Sequence, residues 1–341
     1  MSSPHDSSHT ISLGHGSGGA MMQQLIAEEL LPALSGQSAE ALEEAAIVEL
    51  AGGRLAFTTD SYVVQPLLFP GGDIGSLAVH GTVNDLAMRG AVPRFLSVGL
   101  IIEEGLQVDT LRRVVASMGC AADKCGVTIA CGDTKVVEHG KGDGLFINTS
   151  GLGECGPHVP SVTAAQPGDV LIVNGTLGDH GIAVMVAREQ LEISADLRSD
   201  SAPLHELVAA MLQAGGDAVH CLRDLTRGGM AAGLNEIATS SAVGMMLESS
   251  AIPVRPDVAG VCEILGLSPY VVANEGKLVA AVAADQADSV LQAMHAHPYG
   301  QDAAIIGQVV SDQPGLVRLR TAIGTTRVLE LPAGELLPRI C

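Results

Sequence analysis

The chain has 341 residues, 47% of them apolar, and carries 18 basic against 38 acidic side chains, a formal net charge of −20. So acidic a surface cannot neutralise a phosphate backbone, and with no Trp, three Tyr and four Phe it offers few platforms for stacking bases, so no nucleic acid partner is expected. Its apolar runs are far shorter than a bilayer span and residues 1–10 lack a basic region followed by an apolar one, so we expect a cytoplasmic protein with no membrane partner, long enough for two domains.

Residues 1–40 hold a glycine-rich loop, His15, Gly16, Ser17, Gly18 and Gly19, followed by helical periodicity over residues 21–34. In residues 41–156, strand patterns at 46–50 and 54–59 bracket Gly52 and Gly53, a hairpin signal. A small-residue helix over 74–88, a strand at 93–102, a helix over 108–120 and strands at 127–137 and 145–151 complete a first domain whose sheet has antiparallel character. Cys120, Cys125 and Cys131 lack the Cys-x-x-Cys spacing of a zinc site, and Cys125 and Cys131 flank a strand pattern that predicts their burial.

Pro157, Pro160, Pro167 and Gly168 mark a boundary. Beyond it the plan recurs over residues 157–312: strands at 170–174, 244–247, 278–283 and 304–310, with helices near 182–188, 203–214, 229–240, 257–265 and 286–295. Residues 313–341 read as a flexible tail that ends in Cys341, its approach kept extended by Pro332 and Pro338. Measured from Val310, such a tail spans on the order of 100 Å when extended.

Four aspartates stand at or near expected changes of chain direction: Asp60 after a strand, Asp85 in Asn84, Asp85, Leu86, then Asp133 and Asp224 before glycine-assisted or basic segments. Hard carboxylate oxygens from several loops are what magnesium on a polyphosphate requires, although Asp also caps turns and helices. Lys135 beside Asp133 suits a phosphate-stabilising cation, or a solvated strand terminus. His80 and Asn84 share a helical face, and Glu275, ahead of Gly276 and an apolar strand, is a candidate proton acceptor or metal ligand. The glycine loop lacks the Lys and Ser or Thr of the Walker pattern.

Taken together, His15 to Gly19, the Asp60 and Ser61 pair, Gly81 to Met88, Gly132 to Lys135 and Asp224 to Gly229 resemble the ATP-binding superfamily of aminoimidazole ribonucleotide (AIR) synthetase and selenophosphate synthetase. Within it, the ending Pro338, Arg339, Ile340, Cys341 is similar to the HypE family of hydrogenase maturation proteins. The resemblance implies an α+β fold of two PurM-like, AIR synthetase-like α/β domains of similar plan, the first forming a homodimer, plus the extended C-terminal tail. It implies an ATP- and Mg2+-dependent carbamoyl dehydratase, a lyase that converts a thiocarboxamide on Cys341 to a thiocyanate and so supplies the cyanide ligands of nickel-iron hydrogenase. The implied partners are a HypF-type carbamoyltransferase and the HypC and HypD scaffold.

By position in the family's motifs, Asp60, Asp85 and Asp224 are the metal carriers, with Asp133 beside them. Gly18, Gly19, Asn84, Asp133, Thr134 and Lys135 would contact ATP, Lys135 would stabilise transferring charge, and Glu275 and His80 compete as the base. Two other readings stay open at this point. A selenophosphate synthetase-like enzyme would need a reactive residue near the glycine loop, yet residues 1–30 hold no cysteine; a non-catalytic thiol carrier or scaffold would need only Cys341.

Overall fold

The protein is described by a computed structural model covering residues 10–34, 42–191, 193 and 195–332. Cys341, the rest of its Pro-Arg-Ile-Cys ending and residues 35–41 lie outside the described residues. After the glycine loop come α1 (Ala20–Leu25), a π turn (Ile26–Leu30) and α2 (Leu31–Leu34). The first sheet follows: β1 (Ala46–Leu50), β2 (Gly53–Tyr62), a small hairpin of β3 (Leu68–Phe69) and β4 (Gly72–Asp73), α3 (Ile74–Met88), β5 (Ala91–Glu103), α4 (Val108–Cys125), β6 (Thr128–Val137) and β7 (Leu145–Cys155). The five long strands run in the order β1-β2-β7-β5-β6. All neighbours are antiparallel except β5 and β6, which the α4 crossover makes parallel.

The second unit contains β8 (Val170–Val173), α5 (Asp179–Arg188), α6 (His205–Gly215), β9 (Val219–Asp224), α7 (Gly229–Ser240), β10 (Gly244–Glu248) and α8 (Pro256–Leu265). It ends with β11 (Leu278–Val282), α9 (Ala287–His295), β12 (Ala304–Val310), β13 (Val317–Arg320) and β14 (Thr326–Val328). Its sheet is ordered β14-β13-β10-β12-β8-β11-β9. Each unit is a sheet with helices packed on it, an α/β domain of the expected kind. Among the described residues, no helix is long and apolar enough to cross a membrane.

Helix α3 joins the two units. Asp73 starts it by accepting from the amides of Gly75 (2.8 Å) and Ser76 (3.0 Å), which satisfies two of the donors that a helix start leaves open. Apolar residues then occur all round the helix, as a buried helix requires. Ile74, Leu77 and Val83 pack into the core of the first domain, while Ala87 and Met88 pack with Leu204, Leu207 and Met211 of the second.

Several expectations need correction. Strand β2 runs on through Asp60 to Tyr62, because its pairing with β7 continues to Ile147. Asp133, Thr134 and Lys135 lie inside β6, held there by parallel pairing with Gly99, Leu100 and Ile101, not at a turn. Cys125 is buried as expected, but Cys131 is exposed because β6 is an uncovered edge strand. The sheet contains β9, β13 and β14, which the sequence reading passed over. Consequently the segment from 313 is not a free tail: β13 pairs with β10, Leu319 is buried in the core and Leu329 is held by Val317.

Close packing of α3 on α4 depends on glycine. A methyl group on Gly75 would collide with the carbonyl oxygen of Val114, a backbone atom that cannot swing aside. Gly75→Ala is therefore expected to lower stability by roughly 1–3 kcal/mol, read as a reduced midpoint of urea unfolding with an unchanged slope.

A candidate active site between the domains

A cleft of about 980 Å³ is bounded by both domains and the N-terminal helix. Strand β2 supplies Thr58 and Asp60, α3 supplies Asp85, the end of β9 supplies Arg223 and Asp224, and the turn before β11 supplies Glu275. Four of the sequence-predicted residues therefore meet here: Asp60, Asp85, Asp224 and Glu275. Their sequence separations are large, so only the fold assembles them.

The cleft concentrates negative charge on side chains largely withdrawn from solvent. Asp85, Asp224 and Glu275 are 8%, 6% and 3% exposed, values at which an uncompensated carboxylate is costly. Burial pushes the Asp224 carboxyl up to about 7; its hydrogen bond with Glu44 opposes this and the neighbouring Asp85 charge adds to it. Burial is also the main reason that Asp85 lies well above the usual carboxylate range, followed by the charges of Glu44 and Asp60. The Thr58 hydroxyl, 2.9 Å from Asp85 Oδ2 and 2.9 Å from the Glu44 carbonyl oxygen, partly offsets that cost.

Two arginines frame the cluster, and neither was singled out from the sequence. Arg223, its side chain 18% exposed, bridges Glu44 and Glu236, the latter at 2.6 Å. Arg227 Nη2 lies 3.7 Å from Asp60 Oδ1. The first pair also explains why Glu44 was missed: it precedes the first strand in an acidic run, and nothing local distinguishes it from a solvated residue.

Gly18 has φ +78 and abuts Arg227, whose side chain and backbone a methyl group would strike at 2.6–2.9 Å. The glycine loop thus packs against the start of α7, with Gly19 forming the N-cap of α1. The other end of the described chain closes the same wall. Leu331 lines the cleft, the Ala20 amide donates to the Pro332 carbonyl (3.0 Å), and Asn235 Nδ2 donates to the Leu329 carbonyl (2.8 Å).

The remaining predicted residues stand elsewhere. Asp133 and Lys135 pair with each other at 2.6 Å on the exposed strand β6, with Thr134 between them, and none lines this cleft. His80 and Asn84 lie about 100° round α3 from the cleft-lining Gly81 and Asp85. His80 Nδ1 is 3.0 Å from Ser201 Oγ, and burial, helped by Lys124 and His205, pushes its imidazole down to about 4. Asn84 spends its amide on backbone: Nδ2 donates to Ala202 (3.0 Å) and Glu275 (3.4 Å), and Oδ1 accepts from Leu204 (2.7 Å). The expected His80 base and Asn84 ATP contact are accordingly replaced by a clamp between domains.

The donor set fits a phosphate-bound divalent cation. Among the described residues, no three His, Cys, Asp or Glu groups can hold a metal ion by themselves. Magnesium commonly takes one or two carboxylates and completes its shell with phosphate oxygens and water, which this cleft has room for. Without a cation the cluster repels itself. Because the folded Asp224 titrates near 7 and an ordinary aspartate near 4, its contribution to stability is present at low pH and lost as pH rises through 7, on the order of 3–4 kcal/mol. Asp224→Asn should therefore raise the melting temperature of the ligand-free protein by a few degrees at pH 8 and by little at pH 4, measured by calorimetry in chelator.

Comparison with known proteins places this geometry in context. Residues 42–155 match the N-terminal domain of AIR synthase related proteins and residues 166–319 match the C-terminal domain. Carbamoyl dehydratase HypE of Rhizobium leguminosarum bv. viciae is 52% identical over 332 residues, covering 97% of this chain and 95% of that protein. A crystal structure of a HypE-HypF complex superposes with a TM-score of 0.85 at 47% identity, over 90% of this chain and 99% of the matched one. A HypE crystal structure in complex with ATP superposes with a TM-score of 0.82 at 46% identity, over 97% of this chain and 100% of that one.

Proposed function

Since this chain belongs to the HypE family of carbamoyl dehydratases, we infer that the interdomain cleft is where ATP drives its reaction. The enzyme binds ATP and dehydrates a carbamoyl group, carried as a thiocarboxamide on its C-terminal cysteine, to a thiocyanate that supplies the cyanide ligands of nickel-iron hydrogenase. The observation that carries the assignment of the site is the convergence of Asp60, Asp85, Asp224 and Glu275 on a cleft lined by Leu331, close to where the C-terminal segment departs. From Pro332 to Cys341 is nine residue steps in the sequence, so the thiol lies within about 30 Å of that point. That upper bound is about a third of the reach expected from a tail starting after Val310, and it is still long enough to bring the carried group to the cleft that Leu331 lines.

The reaction must turn a poor leaving group into a good one. The carbonyl oxygen of the thiocarboxamide takes the γ-phosphoryl group, ADP departs, and one N–H proton is released as the C–N bond gains double-bond character. Loss of the second N–H proton then breaks the C–O bond, forming the nitrile and releasing inorganic phosphate that carries the former amide oxygen. Glu275 is the proton acceptor in this scheme: at 3% exposed it is more buried than Asp85 or Asp224, its turn is tied to Asn84 of α3, and at neutral pH His80 is committed to Ser201. One or two of Asp60, Asp85 and Asp224 would hold a Mg2+ ion brought in on the phosphates, whose charge it would neutralise. Gly18 and Gly19, next to the start of α7, complete the phosphate side.

Homodimerisation gives Asp133, Thr134 and Lys135 a role. One face of the first sheet leaves Phe57, Phe95, Ile101 and Leu152 at least 39% exposed, beside the open edge strand β6. A contiguous apolar sheet face of this kind favours a partner of the same chain. We assign Lys135 and its neighbours to the partner protomer's cleft, where the ammonium stabilises transferring phosphoryl oxygens. A HypF-type carbamoyltransferase loads Cys341, a reading supported by the HypE-HypF complex of a relative, and a HypC and HypD scaffold receives the cyanide.

Two outcomes are expected. Glu275→Ala, carbamoylated on Cys341, should bind ATP within a fewfold of wild type yet retain its thiocarboxamide when the C-terminal peptide is weighed; an unchanged yield of thiocyanate removes Glu275 from the mechanism. Phe95→Glu should shift the protein from dimer to monomer in light scattering and slow water loss together with it, because Lys135 then has no partner cleft to serve.

A further inference from the structure

The segment from Ser199 to Leu204 crosses between the domains and is tied to both. On the first-domain side, the Ser199 amide donates to the Pro70 carbonyl (2.8 Å), Ser201 Oγ meets His80 Nδ1 (3.0 Å), and Asn84 grips Ala202 and Leu204. On the second-domain side, Ser199 Oγ meets the fully buried His180 at 2.8 Å. Between these ties lies Asp200, and its carboxylate is spent on the turn that carries Glu275. Oδ1 accepts from the Glu275 amide (3.0 Å), and Oδ2 lies 2.9 Å from Lys277 Nζ, both side chains at most 12% exposed.

The turn has no freedom to relax. The Glu275 carbonyl accepts from Ala202 and from Asn84, both at 3.4 Å. Gly276 is pressed so closely on the Asp200 carbonyl that no side chain fits there. A buried carboxylate needs a counter-charge, and Lys277 supplies it: despite burial, Asp200 titrates below the usual carboxylate range, held there by Lys277 and then His180. Asp200 does not line the reaction cleft; it faces a separate cavity of about 320 Å³ on the other side of the turn.

We propose that Asp200, locked by Lys277 and by the His80 and Asn84 straps, is a positioning residue that fixes the Glu275 carboxylate for proton removal from the thiocarboxamide nitrogen. The proposal rests on Glu275 being the proton acceptor. It explains why a neutral histidine and a fully engaged asparagine sit one helical face away from the cleft: they hold the segment that holds the base. A displacement of this turn by about an ångström is enough to cost on the order of 100-fold in rate.

A double-mutant cycle tests it, using the full-length chain carbamoylated on Cys341 and single-turnover loss of water followed by mass, with ATP affinity measured alongside. Asp200→Ala should slow water loss by about 10- to 100-fold with ATP affinity changed less than about threefold, and should add nothing in the Glu275→Gln background. Asp200→Asn, which keeps an acceptor for the Glu275 amide and changes little in shape, should recover part of the rate and serves in the cycle if the alanine variant does not fold. Equal slowing by the Asp200 variant in both backgrounds overturns the proposal, as does an unchanged rate in the wild-type background while Glu275→Gln remains slow. A Glu275→Gln enzyme at wild-type rate instead removes the base assignment, and the positioning role with it.

Discussion

A helix buried on every side cannot carry a polar group without a partner, and α3 carries several. Its apolar residues pack into both domains, so it is the piece around which the two sheets are set. Burial leaves Asp85 and Asn84 no water to fall back on and the half-buried His80 little, and each is answered by a specific group. Those answers come from three distant segments: Thr58 on β2, the 199–204 crossing, and the turn at Glu275. The cost of an unpaired buried group thereby organises the relative placement of the domains and, with it, the cleft.

The same constraint separates two jobs along one helix. Gly81 and Asp85 are four residues apart and look into the cleft; His80 and Asn84 are four apart and look toward the crossing. A rotation of one residue, about 100°, divides substrate-facing chemistry from the scaffold that supports it. The cleft itself is kept electrostatically unsettled, with Asp224 and Asp85 pushed upward by burial and Arg223 largely committed to Glu44 and Glu236. A site that stores repulsion in this way gains from a bound cation and gives up stability without one.

Much of the architecture was legible because local signals and tertiary packing agree. The all-apolar stretch of α3 and the glycine pair of the β1-β2 hairpin carry their structure in their own periodicity. Strand β9 was missed because it is only six residues long and ends in the charged Arg223 and Asp224, and β13 because its alternating arginines read as a tail. Asp133 and Lys135 fall within the strand expected over 127–137; that this strand is an open edge follows from its pairing with β5 alone, a partner some thirty residues away. Glu44, Arg223 and Asp200 had no signal at all, since a buried ion pair leaves no trace in the residues beside it.

By itself, then, the sequence determined the family, the two-domain plan, the acidic residues able to serve ATP chemistry and the terminal cysteine able to carry the substrate, because these depend on residue identity and short-range order. Only the tertiary structure decided which carboxylates share a cleft, that His80 and Asn84 tie α3 to the 199–204 crossing, and that Leu331 and Pro332 close the wall of that cleft. The reason is physical: pairing, burial and reach are relations between segments far apart in the chain, and a residue's chemistry is set by the groups that folding brings against it.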